Sequence, residues 1–124
     1  MSDKKIKISS VTEFMPNYSS EKDNRYFFVY CITIQNQLEE KVQLISRHWK
    51  IENSNGVIKE VQGLGVVGEQ PIIPPGDSYT YTSATEIESP VGSMHGIYTM
   101  ETNSGMTFDA EIPKFDLIMP RSLH

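Results

Sequence analysis

KVQLISRHWKIENSNGVIKEVQ, residues 41–62, carries the reading on which the fold depends. Asn53-Ser54-Asn55-Gly56 stands between two apolar-patterned runs, and Asn-Gly readily takes the positive φ angles of a type I′ turn. A strand over about Lys41–Asn53 is therefore expected to fold back on one over Val57–Gln62. The apolar positions of the first run change phase, from Val42 and Leu44 to Ile45, Trp49 and Ile51. A β-bulge or strong twist near Ser46 would bring both halves to one core. Which face of Val42–Ile51 is buried stays open at this stage.

Upstream, Tyr26–Asn36 alternates with a period of two. Tyr26, Phe28, Tyr30, Ile32 and Ile34 make the better core face, because the opposite face turns polar toward its end. A first strand over about Lys5–Phe14 precedes it, followed by a polar loop ending at Arg25. Downstream, Asp77–Glu86 reads as a strand. Ser89-Pro90-Val91-Gly92 turns the chain into another, Met94–Thr102, and Asn103-Ser104-Gly105 leads into Met106–Ile112. Pro113 interrupts that run, and Phe115–Met119 continues it as a short edge strand, where proline is tolerated. No segment keeps a helical apolar stripe for three turns. Seven to eight strands with frequent turns predict an all-β antiparallel sandwich of the immunoglobulin or fibronectin type III kind, one domain over residues 1–124.

Glu60–Ser83 tests an α/β alternative and fails it. Gly63, Gly65 and Gly68 fit G-x-G-x-x-G, but in a dinucleotide fold those glycines must open a helix that holds the pyrophosphate. Pro71, Pro74 and Pro75 forbid a helix there. The phosphate-loop spacing from Gly63 to Gly68 is also present, yet Glu69 and Gln70 occupy the lysine and hydroxyl positions, and a carboxylate repels phosphate. The segment is read as a glycine-punctuated loop leading into a strand. Its glycines supply backbone angles or close approach, with a concave run of N–H groups for a small anion as the functional alternative.

The composition, 38% hydrophobic and 22% charged, is that of a folded domain. A net charge of −5, with basic residues scattered except for Lys4, Lys5 and Lys7, argues against a nucleic-acid partner. Cys31 is the only cysteine, so neither an intramolecular disulfide nor a cysteine-rich zinc cluster is available. No apolar run of signal-peptide or membrane-spanning length occurs, and a cytoplasmic protein without membrane insertion is expected.

Catalytic chemistry finds little support. His48, His95 and His124 are far apart, and His48 should face solvent opposite Trp49, as structure more than as base or ligand. Cys31 reads as a packed thiol, and no nucleophile, base and orienting group assemble from the motifs present. Trp49 is assigned to the core. Tyr79 and Tyr81 share one face, packed by default, with an exposed contact patch as the alternative. No cofactor, no metal centre and no enzyme are expected.

RYFFVYCITIQN (25–36), VQLISRHWKIENSNG (42–56), EVQGLGVVGEQPIIPPGDSYTYTS (60–83), SPVGSMHGIYTM (89–100) and FDAEIPKFDLIMP (108–120) occur in an order that resembles the bacterial ApaG family over nearly the whole chain. The resemblance implies a fibronectin type III-like sandwich. It also implies a link to cobalt resistance and magnesium efflux, a gene neighbourhood with a diadenosine tetraphosphate hydrolase, and kinship with eukaryotic domains thought to mediate protein-protein contact. A suggestion of nucleotide or pyrophosphate binding passes to Gly63, Gly65 and Gly68. Two functional expectations follow. The first is a non-enzymatic module that offers the Gly63–Pro75 loop or an edge strand to a protein partner, a homodimer included. The second is a sensor of divalent metal, pyrophosphate or nucleotide at the same loop. In both, Gly63, Gly65, Gly68, Glu69, Gln70 and Pro71 form the candidate site.

Overall fold

The computed structural model describes residues 5–120. Its strands are β1 (Ile6–Phe14), β2 (Tyr26–Asn36), β3 (Val42–Asn53), β4 (Ile58–Leu64), β5 (Ile72–Ile73), β6 (Ser78–Ile87), β7 (Val91–Thr102) and β8 (Thr107–Ile118). A short 3-10 turn, Pro16–Tyr18, follows β1, and among the described residues no helix is long and apolar enough to cross a membrane. Two antiparallel sheets face each other as a β-sandwich. One has the order β1-β2-β6; the other runs β4-β3-β7-β8, with β5 paired to β3 beyond the end of β4.

The alternation of β2 is realised in full. Tyr26, Phe28, Tyr30, Ile32 and Ile34 are buried, and each residue between them is half-buried. β3 needs its bulge. The register to β7 shifts between Leu44 and Ser46, so Val42 and Leu44 before it, and Trp49 and Ile51 after it, all reach the core. The same shift settles the buried face and turns Arg47 inward with them. Trp49 meets Tyr30, Tyr98 and Phe115 with ring centroids 5.7, 6.2 and 5.9 Å away, edge to face. Burying such side chains contributes roughly 1.5–3 kcal/mol each. Tyr81 and Tyr98 share a hydrogen bond between their hydroxyls, and burial raises the pKa of both phenols above the ordinary value. Buried Asn36 is satisfied: its amide donates to the carbonyls of Glu40 and Ile73, both at 2.9 Å, and its Oδ1 accepts from Leu38 N–H.

Several boundaries differ from the sequence-based expectation, each for a local reason. The Asn53–Gly56 turn is not type I′. Gly56 has φ +80° but Asn55 does not have positive φ, and Asn53 N–H reaches Val57 O at 3.1 Å. Asn53 Oδ1 accepts from the N–H groups of Asn55 (2.9 Å) and Val57 (3.1 Å), which favours a type I turn followed by a glycine bulge. β4 runs two residues past Gln62, taking Gly63 and Leu64 into the sheet. β5 was not anticipated, because two residues between prolines carry no periodicity. β7 starts at Val91, within the expected turn. β8 continues through Pro113, since it is the last strand of its sheet and a register shift opposite His95 absorbs the irregularity.

The sandwich is closed on one side and open on the other. β1 and β8 pack together, with Thr12 Oγ1 donating to Asp116 O at 3.5 Å. On the other side β4 and β6 flank a cleft, bridged where Lys59 Nζ donates to Glu86 O at 3.4 Å.

Candidate functional site

The glycine-proline segment begins inside the sheet. Gly63 pairs with Arg47 and, by strand alternation, faces inward. The guanidinium of Arg47 lies over it: a Cβ at Gly63 would sit 2.9 Å from Nη1 and 3.0 Å from Nη2. Nη1 donates to Leu64 O and to Gly65 O, both at 3.0 Å. Gly65, at φ +62°, donates its N–H to Ile45 O at 2.8 Å, and a Cβ on it would collide with the Glu69 carbonyl. Glycine is required there for both reasons.

The chain then makes a small hairpin. Val66 N–H donates to Glu69 O (2.8 Å) and Glu69 N–H to Val66 O (2.9 Å), around Val67 at φ +48° and Gly68 at φ +79°. Two successive positive φ angles define a type I′ turn. Val66 is buried at 1% exposure and anchors the hairpin in the core. Gln70 Nε2 donates to Ile45 O (2.9 Å), Gln43 Nε2 to Gln70 O (3.1 Å) and Leu44 N–H to Pro71 O (3.0 Å), which delivers the chain to β5. The loop is thus tied along its length to β3.

Two chemical consequences follow. The N–H groups of Gly65, Val66 and Glu69 are spent on carbonyls within the protein, so the glycine motif does not present them as a cradle. The apolar side chains of Leu64 (73% exposed), Val67 (61%) and Ile72 (55%) stand outside, with Glu69 exposed among them. Of the residues singled out from the sequence, Gly68, Glu69 and Gln70 lie on the exposed turn, Pro71 is half-buried, and Gly63 and Gly65 are internal to the construction. Arg47 was missed. Its signal was its phase: two before Trp49 and four before Ile51, it shares their face.

The other candidate groups lie elsewhere. His48 faces outward, as its place beside Trp49 predicts, with Nε2 2.7 Å from Glu60 Oε1 and 3.4 Å from Gln62 Nε2. His95 lies on the same outer face across from Lys50, and its buried Nδ1 has no hydrogen-bond partner among the described residues. Cys31 is half-buried on β2. His124 lies outside the described residues. Among the described residues no three His, Cys, Asp or Glu side chains come together in a way that could hold a metal ion.

Comparison with known proteins adds the lineage. The model of a family described as "ApaG domain" matches residues 16–102. A protein of Aromatoleum aromaticum named Protein ApaG is 49% identical over 120 residues, 97% of this chain and 94% of its own. One of the same name in Nitrosospira multiformis is 50% identical over 119 residues, with coverages of 96% and 94%. The X-ray structure of a Northeast Structural Genomics Consortium target superposes with a TM-score of 0.92 at 46% identity, covering 98% of this chain and 92% of that one.

Proposed function

The chain belongs to the ApaG domain family, and from that premise we propose that it is a non-enzymatic cytoplasmic binding module whose Gly63–Pro75 loop docks on a protein partner. The observation that carries this reading is the display of Leu64, Val67 and Ile72 on a loop whose backbone is bound down to β3. Exposed apolar surface marks protein contacts, the segment Leu64–Ile72 displays three such side chains, and a loop already fixed in shape loses little entropy on docking. Val67 strengthens the argument. A β-branched residue at positive φ costs roughly 1–2 kcal/mol, and such strain persists where function asks for a particular side chain. Through this contact the module would serve the cobalt and magnesium balance with which the family is associated. The alternative of a phosphate or nucleotide sensor at the same loop has less support, since three of its N–H groups are already engaged.

The test is capture from cell lysate with immobilised protein, comparing the wild type, the double substitution Leu64→Asp/Val67→Asp, and Val57→Asp/Ile58→Asp at the far end of β4. All four positions are exposed, so thermal unfolding should stay within a few degrees of wild type. The loop variant should lose a specific partner that the control retains. Equal capture by both variants would sink the proposal.

A further inference from the structure

Between β4 and β6 a cleft of about 330 Å3 opens between the sheets, lined by Tyr30, Arg47, Trp49, Lys59, Ser83 and Thr85 among others. Its charge is lopsided. The carboxylate at the cleft, Glu86, pairs with Arg25 at 3.5 Å. Lys59 donates to the backbone carbonyl of Glu86 at 3.4 Å and, among the described residues, makes no ion pair. Among the described residues Arg47 has no carboxylate partner either. Two cations without an ion-pair partner among the described residues thus line one concave site, together with the single carboxylate of Glu86, on a protein of net charge −5.

The disposition of the Arg47 nitrogens makes the site specific. Nη1 is committed to the carbonyls of Leu64 and Gly65, which fixes the plane of the guanidinium. Nε and Nη2 donate to no group among the described residues, and neither is a buried atom left without a partner. Those two N–H bonds run parallel along one edge of the guanidinium, the fork that grips a carboxylate or a phosphate by two oxygens. The aromatic walls, Tyr30 and Trp49, lower the local dielectric and strengthen such a contact.

We propose that this cleft is a binding site for a small oxyanion, with Arg47 gripping two oxygens through Nε and Nη2 and Lys59 supplying a second positive charge. Gly63 then has a role distinct from nucleotide binding: it leaves the space in which the guanidinium is held. The site uses the backbone of Gly63, Leu64 and Gly65, whereas the docking reading uses the exposed side chains of Leu64, Val67 and Ile72, and neither reading depends on the other.

The test follows the Arg47 Nε–Hε signal of labelled protein by NMR during titration with inorganic phosphate or succinate at constant ionic strength. One or both anions should displace that signal saturably, with half-saturation on the order of 1 mM, a modest affinity for a partly solvated fork. Saturation with phosphate alone assigns a phosphoryl ligand; with succinate alone, a carboxylate ligand. Lys59→Met, at an exposed position, should weaken binding at least about threefold, the loss of one charge-assisted contact. Gly63→Ala, which pushes the guanidinium aside, should weaken it roughly tenfold. Val67→Asp alone, at an exposed residue outside the cleft, should bind as wild type does, keeping this result apart from partner capture. Absence of saturation with either anion, or unchanged affinity in both Lys59→Met and Gly63→Ala, overturns the proposal.

Discussion

Two turns at opposite ends of β4 each carry a glycine at positive φ, and they are built in contrary ways. At Asn53–Gly56 the turn is polar, its asparagine side chain accepts two backbone N–H groups, and none of the described residues stands within 4 Å of a Cβ placed on Gly56. At Val66–Glu69 a valine is held in the left-handed region, the preceding residue is sunk in the core, and Gly65 has no room for a side chain. The first turn is stabilised by its own residues. The second is imposed by contacts with β3, and it displays an apolar side chain where the first displays polar ones. A turn that local chemistry would choose needs no external support; a turn that departs from local preference is the better place to look for function.

The contrast is exposed to mutation. Gly65→Ala should cost roughly 3 kcal/mol, combining a forbidden backbone angle with collision against the Glu69 carbonyl, whereas Gly56→Ala should cost about 1 kcal/mol from the angle alone. Urea denaturation of both variants measures the difference; equal costs would mean that the two turns are not distinct in kind. Asn53→Ala should lose about 1.5 kcal/mol, because two turn N–H groups then depend on water. No substitution at Gln70 should match it, as that side chain braces the loop from outside through a single bond to Ile45 O. The smallest effect has the opposite sign. Val67→Asn should raise stability by about 1 kcal/mol, since asparagine tolerates the left-handed region, while reducing partner capture. A valine variant no less stable than the asparagine one would remove the argument that strain is retained for function.

These two turns also mark how far the sequence could be read. β2 was legible in detail because its alternation is local and unbroken from Tyr26 to Ile34. The hairpin at Asn55-Gly56 was legible as a hairpin, but its type was not: Asn-Gly allows both turns, and the choice lies with the side chain of Asn53. The bulge near Ser46 was visible as a change of phase. Its consequence for Arg47 was not, because a charged residue on a core face is discounted until its carbonyl partners are known. β5 and the path of β8 through Pro113 depend on neighbouring strands, one pairing to β3 and the other lying at a sheet edge. At the candidate site, Gly63, Gly65 and Gly68 were found from their spacing, and the sequence also argued, through the prolines and Glu69, against a helix-borne phosphate site. What it could not reveal is that the three glycines do three different jobs: seating an arginine, passing beneath a carbonyl and completing a tight turn.

The order in which the chain visits the two sheets has a consequence of its own. After β1 and β2 it crosses for β3, β4 and β5, returns to the first sheet for β6, and crosses again for β7 and β8. Neither sheet is a continuous length of chain, so neither can form or dissolve without rearranging strands of the other. Such interleaving couples them into a single cooperative unit. The loop braced on β3 and the cleft beside β6 therefore stand on one folding unit, and a change that weakens either sheet lowers the stability of both.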